Sequence, residues 1–131
     1  MPYELTFVKG GLVVADADLY INECCWGGDI VVQQLLPKIK ERYEVVDEGQ
    51  EDWGWYIQLR KGVVALAVDV FCDDPKAGEF RVHLTSRLKR LLILSRVADT
   101  PELDEFRDLV VPLLNDWLAP GSCKASKIEH V

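Results

Sequence analysis

The chain has 131 residues, 49% of them hydrophobic and 28% charged, with a formal net charge of −7 at pH 7. That length suits one domain able to bury a core without disulfide staples. The acidic balance argues against nucleic acid and against an anionic membrane, and leaves a basic protein partner, a cation or plain solubility.

Tyr3, Leu5 and Phe7 alternate with Glu4 and Thr6, the period of a half-buried first strand. The start, Met1-Pro2-Tyr3-Glu4, has neither a basic leader nor an apolar run, so no signal peptide is expected. No segment approaches the length of a membrane span, which makes the cytoplasm the expected location. Lys9-Gly10-Gly11 reads as a turn and Leu12 to Ala15 as a second strand. Asp16 to Cys25 shows no clear period. Gly27-Gly28 breaks what precedes it, and Asp29 suits the N-cap of a helix with Ile30, Val31, Leu35, Ile39 and Tyr43 on one side. Pro37 should kink that helix or end its first half.

Val45-Val46 opens a short strand, and Asp47 to Asp52 reads as an acidic loop. The strongest pattern follows. Trp53, Trp55, Ile57 and Leu59 alternate with Gly54, Tyr56, Gln58 and Arg60, and Lys61-Gly62 reads as a two-residue hairpin turn. Counting from that turn sets Leu59 against Val64, Ile57 against Leu66, Trp55 against Val68 and Trp53 against Val70. Each pair is apolar on both sides, and a slip of one residue would destroy the match. Asp73 to Gly78 is a turn, and Phe80, Val82 and Leu84 mark a neighbouring strand. Arg87 to Val97 fits a strand or a short helix, with Leu88 to Leu94 interleaved among Arg87, Lys89, Arg90 and Arg96.

The last helix is the clearest, with Thr100 as N-cap, Pro101 at its first position and acidic residues in its first turn. Its buried stripe is Leu103, Phe106, Leu109, Val110, Leu113, Leu114 and Trp117, and Pro112 implies a kink. Pro120-Gly121 stops it, and residues 122–131 read as a flexible tail behind a single domain of residues 1–121. The expected architecture is α+β, a mostly antiparallel sheet with helices packed on one face.

Chemistry has a few places to sit. The sheet's second face carries Tyr56, Asp69, Arg81 and His83, with Asp69 and His83 as direct neighbours and Gly54 across from Asp69. A carboxylate that orients an imidazole is the core of acid–base work, but charged cross-strand pairs are also ordinary on a solvated sheet face. No Ser or Cys nucleophile falls beside this His by spacing. Cys24 and Cys25 are adjacent and fit a soft metal, a strained vicinal disulfide or plain packing. With Trp26 and Gly28 they form either a ligand-binding loop at a helix start or a tight packing corner. Cys72 continues the core-facing parity and reads as a buried thiol.

The acidic clusters, including Glu48, Glu51, Asp73 and Asp74, lack the calcium-loop pattern and suit solubility or the steering of a basic partner. No metal and no cofactor are expected. The size, acidity and Asp52-Trp53-Gly54-Trp55 strand start resemble, in general architecture, small bacterial proteins that include toxin-neutralising immunity proteins. That resemblance and the acidity imply a non-catalytic, immunity-like or adaptor protein that binds a protein partner. The alternatives are a small enzyme or ligand-binding domain using Asp69 and His83 or the Cys24-Cys25 loop, and a homodimer through Leu88 to Leu94.

Overall fold

A computed structural model describes residues 3–12, 17–90 and 93–128. Strands β1 (Tyr3–Val8), β2 (Glu44–Glu51), β3 (Gly54–Lys61), β4 (Val64–Asp74), β5 (Glu79–Arg90), β6 (Ile93–Val97) and β7 (Lys124–Lys127) form one seven-stranded sheet. The order is β2-β3-β4-β5-β1-β7, and β6 continues the β1 side of β5. Every pairing is antiparallel. Helices α1 (Gly28–Arg42) and α2 (Pro101–Trp117) pack on one face of this sheet around a single core. The α+β single-domain fold expected from the pattern is the one observed.

That core follows the period-2 parity of the strands. Leu5, Ile57, Val68, Val70, Val82 and Leu84 are fully buried, and they meet Val31, Leu35 and Ile39 of α1 and Phe106, Val110 and Leu114 of α2. The helix α2 starts as its sequence predicts: the Thr100 hydroxyl accepts from the Leu103 amide at 3.1 Å and donates to Ser86 Oγ at 3.0 Å. A hydroxyl at an N-cap stabilises by about 1 kcal/mol, and this relay also ties the helix start to β5. Both helices run on through their internal prolines, Pro37 and Pro112, without interruption.

The differences from expectation are local and have physical reasons. The β3–β4 hairpin keeps the predicted faces but turns one residue later: Gly62-Val63 is the loop, and Leu59 faces Leu66 while Trp55 faces Val70. Gly62 has φ +61, so the glycine fills the first loop position rather than the second. Helix α1 is capped by Gly27 rather than Asp29, which lies in the first turn, and Val32 is buried where Ile30 is not. Asp47 to Glu51 is no loop; it pairs with β3 as part of β2, and Asp52-Trp53 makes the turn between them. Arg87 to Val97 is strand throughout its described backbone, not helix. The residues expected to trail freely after Ser122 instead place Lys124–Lys127 against β1 as a sheet edge. The expected strand at Leu12 to Ala15 falls outside the described residues beyond Leu12.

Candidate functional site

The sheet's other face has no described helix over it, and the strand registers align a row of side chains across it. Gly49, Tyr56, Asp69, His83, Glu4 and Ser126 stand opposite one another in turn across six strands. Asp69 and His83 are thus the direct neighbours that parity predicted. Gly54 is not opposite Asp69; Tyr56 is, because the hairpin turns one residue later than counted. The Tyr56 hydroxyl lies 3.1 Å from Asp47 Oδ2, and that hydrogen bond raises its pKa.

His83 belongs to a charged network that the sequence did not reveal. Its Nε2 is 3.1 Å from Glu4 Oε1 and 3.3 Å from an Arg81 nitrogen. Arg81 grips Asp73 through Nε at 3.1 Å and a terminal nitrogen at 3.2 Å, and its guanidinium lies 4.4 Å over the Phe71 ring. Trp53, expected in the core, packs instead on Phe71 at 5.1 Å on this open face. It sits in the β2–β3 turn, where strand parity no longer applies. Glu4 was missed because its parity fixes its face, but nothing in a single sequence says that β1 lies beside β5.

Burial pushes the Asp69 carboxyl above its ordinary pKa, with His83 and Arg87 pulling partly the other way. A raised folded value means the fold prefers the neutral acid. Its contribution to stability is then complete below the ordinary value of about 3.9 and is lost as pH rises through the folded one. Asp69→Asn is expected to flatten the urea midpoint against pH across that window and to raise it at pH 7. A profile identical to wild type would place the carboxylate in solvent.

The Cys24-Cys25-Trp26-Gly27-Gly28 segment forms a packing corner. A Cβ on Gly28 would fall 2.5 Å from the Trp55 ring, and the Trp55 indole N–H donates to Cys25 O at 2.8 Å. The Cys25 thiol is buried and donates to Glu51 O at 3.0 Å, while Cys24 is exposed; all four cysteines are free thiols. Burial pushes the Cys72 and Cys123 thiols up to about 11, which makes both poor nucleophiles at neutral pH. Among the described residues no group of three or more His, Cys, Asp or Glu is arranged to hold a metal ion.

The acidic residues divide into two kinds. Asp73 is held by Arg81, and Asp74 Oδ1 accepts from the amides of Lys76 and Ala77 at 3.0 and 3.1 Å, so both serve the β4–β5 turn. Glu48 and Glu51 are exposed on β2, joined there by Glu44 and Asp47. Among the described residues β2 ends the strand order, so these four carboxylates line an outer edge of the sheet. Beside that edge, α1 and β2 enclose a groove of about 360 Å³ walled by Leu19, Val32, Leu36 and Trp55 and rimmed by Asp29 and Glu48. The groove escaped the sequence reading because it joins three segments far apart in the chain. The proposed dimer stretch has its backbone in β5 and β6, but Leu91 and Leu92 lie outside the described residues. No described helix is long and apolar enough to cross a membrane. No family model, curated protein or solved structure matches this chain.

Proposed function

We propose that this protein is a non-catalytic binding module that recognises a basic region of a protein partner through its acidic sheet edge. The observation that carries the reading is the position of Glu44, Asp47, Glu48 and Glu51: solvent-exposed, on the terminal strand, in a chain of net charge −7. Four carboxylates on one rigid strand steer and orient a cationic partner better than the same charges on a mobile loop. Trp53, Phe71 and Arg81 on the adjoining open face are the residue types that anchor protein interfaces.

Such recognition is salt-sensitive, because exposed charges are screened over about 8 Å at physiological ionic strength. Immobilised protein is expected to retain its partner from a cell extract at about 50 mM salt and to release it at about 500 mM. Glu48→Lys with Glu51→Lys should cut retention about tenfold or more, whereas Glu41→Lys with Asp116→Lys, on the helical side, should not. Equal loss from both pairs would reduce the effect to net charge and overturn the reading.

A second reading rests on Asp69 beside His83 within reach of Glu4 and Arg81: a small-molecule site on the open face. Asp69→Asn and His83→Ala would then abolish a ligand-induced rise in thermal midpoint while leaving partner retention intact. Loss of partner retention in these variants would instead make them part of the protein interface.

A further inference from the structure

We infer that an extended segment of a partner adds to β2 as a further strand, with basic side chains alternating with apolar ones. This rests on the partner-binding reading above and specifies its geometry. Among the described residues no strand lies beyond β2; the Glu48 amide donates to the neighbouring Asp47 Oδ1 at 2.9 Å, an exposed local contact that the carbonyl of an added strand can replace in completing the ladder.

The two sides of β2 ask for different chemistry. Register puts Glu44, Asp47 and Glu51 on the open face, opposite Arg60, Gln58 and Gly54, and puts Glu48 on the helical face opposite Ile57. A strand laid along this edge therefore has every second side chain beside three carboxylates. The intervening side chains point to the helical side, where Leu19, Val32, Leu36 and Trp55 wall the apolar groove. Lysine or arginine fits the first set, and leucine, isoleucine or valine the second. The period of 2 in the added strand matches the two faces of β2.

A second copy of this chain is a poor occupant. Its β2 would bring four carboxylates against four, and its basic edge strand, Lys124-Ala125-Ser126-Lys127, has no large apolar side chain for the groove. Acid on the edge thus disfavours self-pairing and favours a cationic strand with the same residues.

The test uses the full chain and a capped seven-residue peptide, Lys-Leu-Lys-Val-Lys-Leu-Lys, with its glutamate-for-lysine counterpart as control. Titration followed by amide and indole resonances is expected to shift β2, Leu36 and the Trp55 indole, and to slow exchange of alternate β2 amides about tenfold or more. The glutamate peptide, or the Asp47→Lys with Glu51→Lys variant, should bind about tenfold more weakly. Leu36→Lys, at a half-buried position on α1 that packs against the edge of the core, should weaken binding in protein whose circular dichroism and thermal midpoint show the fold retained. Binding that leaves β2 amide exchange unaltered, or no binding at millimolar peptide, overturns strand addition. Either result leaves salt-sensitive retention of a folded basic protein standing on its own test. Concentration-dependent self-association that slows the same amides without peptide would assign the edge to a second copy and overturn the proposal as well.

Discussion

Gly54→Ala is expected to destabilise the protein by roughly 3–5 kcal/mol, a large share of what a domain of this size has to lose. Gly54 opens β3 with φ +156, and a Cβ built there would lie 2.1 Å from Val70 O. That oxygen is backbone of β4, at the centre of the sheet, so no rotamer change relieves the contact. Gly62 makes the comparison. It also has a positive φ, +61, but nothing lies within 4 Å of its Cβ position, so alanine there should cost only about 1–2 kcal/mol. Urea unfolding of the two variants, with unchanged m-values, measures the difference. Near-equal losses would mean that the close approach of β3 to β4 at Gly54 is wrong.

Phe106→Ala should cost about 3–5 kcal/mol, the range for deleting a fully buried phenylalanine. The ring has no exposure and meets Tyr43, at the end of α1, edge-on at 5.2 Å. It therefore links the two helices as well as filling space over the sheet. Phe106→Leu keeps much of the volume and loses the aromatic contact, so its cost should be nearer 1–2 kcal/mol. A Phe106→Ala loss below about 1 kcal/mol would place this residue outside the core.

Strand faces and helix stripes were legible because burial imposes periods of 2 and 3.6 on the side chains. Leu59, Ile57, Leu66 and Val68 sit on the predicted face although their partners shifted by two residues, since such a shift preserves parity. Which loop position Gly62 takes is a backbone detail that composition does not encode. The acidic run Asp47 to Asp52 read as a loop because carboxylates are depleted from strands in general. On an edge strand that rule inverts: one side of the ladder faces solvent, and charge there prevents unwanted pairing. The tail misled for a related reason, because Lys124–Lys127 is a polar four-residue edge strand with nothing to bury. Candidate site residues were legible only within one hairpin's reach. Asp69 against His83 followed by counting, whereas Glu4 at His83, Leu19 beside β2 and Trp53 on Phe71 depend on long-range placement.

The most direct measurement is zero-length carboxyl-to-amine cross-linking of the protein with the partner it retains at low salt, mapped by mass spectrometry. Links are expected from Glu44, Asp47, Glu48 and Glu51 to partner lysines, and they should disappear with the partner when Glu48 and Glu51 are reversed to lysine. Links concentrated instead at Glu105, Asp108 and Asp116, which line the groove between the two helices, would contradict it and move the binding surface to the helical side.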